Sequence, residues 1–288
     1  MKKKIGIAIL IGLFLGMLGR GLFYHEGFYS PPSSQFPSLE AITVPEMPLT
    51  EFIDAPEKGE GKILIDFSHS NRLSIEELSI LASRLISRGL NVETLNEESL
   101  KEELPKAKGL IIACPAKKFS KEGKEAIEDF VKSGGKLLLI GDPTRKSEIN
   151  SLSLKFGLIF EADYLYNLKE NDAYFRNIFI SQFRENELTK GLKKIVLYTA
   201  GSITCSDNCS IALTDENTFS SLIETRKELS PIALTKESKV LAIYDFTFMI
   251  EPYNGICDNN RLISNIADWL AGLPKEKAKE EVKEEKVK

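Results

Sequence analysis

From Lys62 onward, short apolar runs alternate with amphipathic stretches, the pattern of a parallel sheet covered by helices on both faces. KILIDF (62–67) reads as the first strand. SIEELSILASRLISRG (74–89) follows as a helix, with Ser74 and Glu77 forming a capping box and Gly89 as its stop. NVETL (91–95) and GLIIAC (109–114) are the next two strands. KEGKEAIEDFVKSGG (121–135) is a second helix with Ser120 as its N-cap, and KLLLIGD (136–142) is a fourth strand. Each unit has the length of a βαβ crossover, so the expected class is α/β, flavodoxin-like, with a mostly parallel sheet.

The second half is more broken. LIFEADYLY (158–166), NIFISQF (177–183), KIVLYTAGSIT (194–204), CSIALT (209–214) and PIALT (231–235) read as strands, some in hairpins, ahead of one long apolar strand, VLAIYDFTFMI (240–250). DNNRLISNIADWLAG (258–272) closes the region as a helix, with Leu262, Ile263, Ile266, Trp269 and Leu270 at helical spacing. Trp269 reads as a core anchor. The α/β domain is thus expected to span 61–274.

The pattern differs at both ends. After Lys2, Lys3 and Lys4, the chain keeps low polarity through Tyr24, with Arg20 near the far end. That is enough to cross a bilayer as a helix, with Arg20 snorkelling to the headgroups. The segment 1–24 is therefore read as a transmembrane signal anchor in contact with membrane lipid through residues 5–24. A cleaved signal peptide is the competing reading, but no A-x-A-like site follows. The positive-inside rule then places the bulk of this single-pass chain outside the cytoplasm. Ala8, Gly12 and Gly16 are spaced as small-xxx-small, a spacing that glycine-rich membrane helices also show by chance. Residues 25–60 are rich in proline, which keeps a backbone extended, and read as a stalk. Residues 275–288 form a charged tail without an apolar stripe.

Composition adds exclusions. A formal net charge of −4 with no basic block in the body argues against a nucleic-acid partner. Glutamine occurs only as Gln35 and Gln182 beside abundant Lys and Glu, a lean towards thermophile composition. No GxGxxG, Walker loop, CxxC pair or G-x-S-x-G elbow is present. No cofactor is expected.

The candidate chemistry lies where predicted strands end, the place α/β folds use for ligands. DFSHSN (66–71) brings together Asp66, Ser68, His69 and Asn71, and His69 is one of two histidines, the other being His25 in the stalk. Cys114 ends the third strand, Asp142 the fourth, and Asp245 lies within the long apolar run. A thiol at a strand end is ordinarily a small buried hydrophobe. His69 is equally a loop-ordering side chain, and the three acids are equally turn caps or a shared cation site. All of these loops are expected along one sheet edge. CSDNC holds Cys205 and Cys209 across a short turn, and a disulfide is expected between them or from one of them to Cys257. Asn208-Cys209-Ser210 matches the glycosylation acceptor pattern.

ILIDFSHSNRLSIEELSILASRLISRGLNVETL, GLIIACPAKKFSKEGKEAIEDFVKSGGKLLLIGD and DNNRLISNIADWL resemble an uncharacterised archaeal and bacterial domain family with a class I glutamine-amidotransferase-like fold. The same core occurs in gliding-motility auxiliary components of ABC transporters and in intraflagellar-transport proteins. The resemblance covers roughly residues 62–272. It implies a nucleophilic cysteine at the turn after KLLLIG and a late histidine with a carboxylate. Here that turn reads GDPT, so Asp142 stands where the cysteine belongs, and no histidine follows His69. An acid there cannot form the thioester.

Two functions follow as expectations. One is a non-catalytic, membrane-anchored module that binds a partner protein or a surface glycan, as an accessory of a transport or envelope complex. The other is a hydrolase or amidase with an atypical site around His69 and Cys114.

Overall fold

The computed structural model describes residues 2–23, 47–96, 99–205, 209–222, 228–235 and 237–272. The stalk residues 25–46 with His25, the acceptor Asn208 and the tail 275–288 lie outside them.

Helix α1 (Lys2–Gly21) carries the apolar run, and its side chains are exposed on every side, Leu10 at 68% and Met17 at 74%. Its stretch Lys3–Gly21 is long and apolar enough to span a membrane. At 1.5 Å per residue it reaches about 28 Å, close to the hydrocarbon thickness.

The second unit begins its regular structure with β1 (Lys62–Asp66), α2 (Ser79–Ser87), β2 (Asn91–Leu95), α3 (Leu100–Glu103), β3 (Gly109–Ala113), α4 (Lys121–Lys132), β4 (Lys136–Ile140) and α5 (Asn150–Ser153). It continues with β5 (Leu158–Phe160), β6 (Leu165–Asn167), β7 (Asn177–Ile180), β8 (Gln182–Phe183), β9 (Ile195–Tyr198), β10 (Ile203–Cys205) and β11 (Ser210–Leu213). β12 (Thr218–Ser220), β13 (Ile232–Leu234), β14 (Val240–Ile243) and α6 (Asn259–Ala271) complete it.

One eight-stranded sheet runs β2-β1-β3-β4-β14-β13-β11-β8. Its first five strands are parallel, and the last three join antiparallel. The parallel part has the 2-1-3-4-5 order of flavodoxin-like folds. Alternation sorts the side chains. Ile63, Ile65, Ile111 and Leu138 pack on one face with Leu81 and Leu85 of α2 and Ile263, Ile266 and Trp269 of α6. Leu64, Leu110, Ile112 and Leu139 pack on the other with Ile127 and Phe130 of α4. Trp269 is a core anchor, 2% exposed, with Nε1 donating to the Ser238 carbonyl at 2.9 Å. The predicted punctuation is present too: Ser120 Oγ accepts the Gly123 N–H at 3.0 Å, and Gly89 turns the chain at φ +82.

Four predicted strands are broken. The run 177–183 divides into β7 and β8, which pair with β9 and β11 in separate sheets. The run 194–204 divides into β9 and β10 at Thr199, whose φ is +61, and the run 240–250 stops as a strand at Ile243 and becomes a 3-10 turn at Thr247–Met249. The run 158–166 yields β5 and β6, which pair with β10 and β12 in separate ribbons. The predicted helix 74–89 starts as a 3-10 turn, Glu76–Leu78, before α2, although the Ser74 N–H still donates to Glu77 Oε2 at 2.8 Å.

The described part of the proline-rich segment, 47–60, makes no strand but is fastened to this unit. Leu49 bridges Ile256, the Thr50 N–H donates to the Gly255 carbonyl at 2.6 Å, and the Gly59 N–H donates to the Arg88 carbonyl at 2.8 Å. Asp54 accepts from Arg84 at 2.7 Å and from Ser264 at 2.8 Å, while the Phe52 ring lies against Arg84 and Arg261. Prolines keep this strap out of ladders, but the Thr50 and Gly59 N–H groups still find carbonyls, and Asp54 finds partners on α2 and α6.

Candidate functional site

Because β1, β3, β4 and β14 are parallel, Asp66, Cys114, Asp142 and Asp245 stand along one edge of the sheet. The loop after β1 folds back on its own strand end. Both Asp66 oxygens lie 3.0 Å from His69 Nδ1, Ser68 Oγ donates to Asp66 Oδ1 at 2.6 Å, and Ser68 N–H donates to the same oxygen at 3.2 Å. Asn71 Nδ2 donates to the Ala113 carbonyl at 2.7 Å, tying this loop to β3. His69 is buried and stacked on Phe119 with ring centroids 3.7 Å apart.

A serine–histidine–acid relay needs the hydroxyl on one ring nitrogen and the acid on the other. Here Ser68 Oγ, at 2.9 Å, and Asp66 both face Nδ1. The hydroxyl proton is held by Asp66, so the histidine is oriented without activating a nucleophile.

Cys114 has no exposure and a left-handed backbone, φ +44. Burial and then the charge of Asp142 push its thiol up to about 12, so it is not a thiolate near neutral pH. No hydrogen bond joins it to His69 among the described residues.

Asp142 and Asp245 are spent on backbone. Asp142 Oδ1 accepts the Thr144 N–H at 2.8 Å and its hydroxyl at 2.5 Å, which shapes the GDPT turn as an Asx turn. Asp245 accepts the Tyr198 N–H at 2.7 Å and the Thr247 N–H at 2.8 Å. Complete burial, and secondarily the neighbouring Asp142 charge, raise its carboxyl well above the usual range. Among the described residues no group of three His, Cys, Asp or Glu side chains is placed to share a metal ion. The acids at this edge act as caps.

Two residues outside the predicted set roof the edge. Arg145, three residues past Asp142, donates to the Arg72 carbonyl at 2.8 Å and to Glu77 Oε1 at 2.7 Å, and lies 4.8 Å over the Phe246 ring. Glu77 therefore serves both the cap and this clasp. Phe119 is the other. A basic residue directly after the acidic turn, in PTRK, was the available signal. A cavity of about 780 Å³ does open in the domain, but between Asp54, Arg88, Glu187, Asn265 and Trp269. None of Asp66, His69, Cys114, Asp142 and Asp245 lines it. Cys205 and Cys209 form a disulfide, while Cys114 and Cys257 are free thiols.

No family model and no curated sequence matches the chain. Solved structures do. The mmIFT52 N-terminal domain aligns with a TM-score of 0.63 at 18% identity, covering 73% of this chain and 97% of that one. The fold is shared. The glutaminase domain of Trypanosoma brucei CTPS, of glutamine-amidotransferase-like fold, aligns at 0.41 and 10% identity, covering 75% and 95%. At that score it adds nothing to the argument, and 18% identity speaks for fold alone.

Proposed function

We propose that this protein is a membrane-anchored, non-catalytic binding module whose bulk lies outside the cytoplasm, working as an accessory of a transport or cell-envelope complex. One observation carries the reading: at the edge where such folds hold their chemistry, the candidate acids are used internally and the candidate thiol is buried. Asp66 orders His69 and Ser68, Asp142 and Asp245 cap turns, and Cys114 is a buried neutral thiol. The alternative hydrolase needs a thiolate beside an imidazole, and here the thiol is neutral and no hydrogen bond joins it to His69 among the described residues. The outward topology rests on Lys2, Lys3 and Lys4 ahead of α1 and on the Cys205–Cys209 disulfide, which suits an oxidising compartment. The resemblance to gliding-motility auxiliary components motivates the accessory role.

Two measurements test this. The purified full chain, screened for amidase and esterase turnover, is expected to show none above background. Turnover that disappears in His69→Ala would establish the hydrolase instead. Protease added to intact cells is expected to release the domain; a domain protected until the cells are lysed would reverse the topology.

A further inference from the structure

The ribbon of β6 and β12 violates the usual alternation. Phe219 stands opposite Tyr166, and Ser220 opposite Leu165. The inner positions, Leu165, Asn167, Thr218 and Ser220, are buried. The outer positions of a ribbon with one wet face are ordinarily polar, yet here they hold Tyr166 and a Phe219 that is 51% exposed. Their ring centroids are 5.9 Å apart, and Tyr164 and Phe175 each approach Tyr166 at 6.3 Å. Leu168 and Leu222, 71% and 65% exposed, lie one and two residues past the ends of these strands.

Among these rings stands a cation with no counter-charge among the described residues. The Arg176 guanidinium lies 4.0 Å from the Tyr164 ring centroid and 5.4 Å from that of Phe175. No carboxylate pairs with it among the described residues, and its Nε is buried without a hydrogen-bond partner. The nearby acid Asp215 is already engaged by Asn167 Nδ2 and the Thr218 hydroxyl. An unmet buried donor on a charged group is costly unless an acceptor arrives.

We propose that the outer face of the β6–β12 ribbon docks an acidic segment of a partner protein, its carboxylate on Arg176 and its apolar side chains among Tyr164, Tyr166 and Phe219. This rests on the binding-module reading and names its surface. Charge complementarity selects an acidic occupant, because among the described residues the Arg176 guanidinium meets ring faces and no carboxylate, the partner a guanidinium fork matches best. The relief selects protein. The rings are tilted by 34° to 81° to one another and so make no flat shelf for a sugar, while the bordering leucines add aliphatic area. Tyrosine and arginine are also the residues that dominate protein interfaces energetically.

The test uses the full chain in lipid nanodiscs, panned against displayed random twelve-residue peptides. Enriched peptides are then measured by fluorescence anisotropy on the wild type, Arg176→Gln and Phe219→Ser, with thermal melting to verify folding. The expected peptides combine Asp or Glu with aromatic or aliphatic residues, and each substitution weakens them about tenfold or more. Phe219 is half exposed, so its variant reports on docking even if Arg176→Gln melts early. Failure to enrich peptides, enrichment without acidic residues, or affinities unchanged by both substitutions would overturn the proposal. So would binding of polygalacturonate or phosphatidylglycerol vesicles that Arg176→Gln abolishes, since the occupant would then be a glycan or lipid. Peptides indifferent to both substitutions would move the docking face while keeping a binding module. Amidase or esterase turnover is the separate result that removes the module reading itself.

Discussion

Arg88, with no solvent exposure, places Nη1 3.1 Å and Nη2 3.2 Å from the Asp54 carboxylate, joining the end of α2 to the strap that precedes β1. Its other partners are the Arg84 carbonyl of α2 and Ser264 and Asp268 of α6. A buried guanidinium is tolerable only while its charge is answered. Asp54→Ala leaves Arg88 with one carboxylate, that of Asp268, whose side chain is 45% exposed, besides the Ser264 hydroxyl and the Arg84 carbonyl. The expected loss is about 2–4 kcal/mol, below that of a fully buried pair because Asp54 keeps some contact with water. Urea denaturation of the wild type and variant measures it.

The same carboxylate gives the stability an acid limb. Burial raises the Asp54 pKa, but hydrogen bonds from Arg88, Ser264 and Arg84 outweigh it and leave the value lowered. A carboxyl depressed by folding stabilises fully above its unfolded value of about 3.9, and that contribution fades as pH falls through the folded value. Melting temperature below about pH 4 is expected to fall more steeply in the wild type than in Asp54→Asn. Equal slopes would show that the pair contributes nothing to acid unfolding.

Thiol labelling separates the cysteines. Near neutral pH and without reductant, a maleimide is expected to modify half-buried Cys257 in the native protein and to spare Cys114, which has no exposure and whose thiol is pushed up to about 12. Denaturant alone is expected to add Cys114, and reductant to add Cys205 and Cys209. Peptide mass spectrometry resolves the sites. Rapid native labelling of Cys114 would revive it as a nucleophile.

Gly89→Ala probes the other fastening of the strap. The glycine has φ +82, and an added Cβ would lie 2.6 Å from the Gly59 carbonyl oxygen. Left-handed strain and that contact together are expected to cost about 1–3 kcal/mol. Ser87→Ala, nearby on α2, serves as a control in the same denaturation assay.

The first half of the domain is legible because its contacts are local or periodic. Ile63 and Ile65 alternate with Leu64 across the sheet, and Asp66 meets His69 three residues on. The second half hides its breaks. Nothing in VLAIYDFTFMI marks the strand's end, because the agent is Asp245, which catches the Tyr198 N–H from 47 residues away. KIVLYTAGSIT likewise gives no sign of the left-handed Thr199. Proline in the strap correctly denies ladder pairing but is silent about Asp54, whose partners Arg84 and Ser264 are 30 and 210 residues distant. At the candidate site, the Arg145–Glu77 clasp spans 68 positions, so PTRK announces the cation without naming its partner.

The 210-residue separation of Asp54 and Ser264 also orders the protein's biosynthesis. Asp54 and Arg88 leave the ribosome early, but Ser264 and Asp268 come among the last residues of the domain. A nascent chain halted before α6 has no stable burial for Arg88 and no partner for the exposed face of α2. Final closure around that guanidinium therefore waits for α6, and the growing chain depends until then on whatever shelters its unfinished sheet.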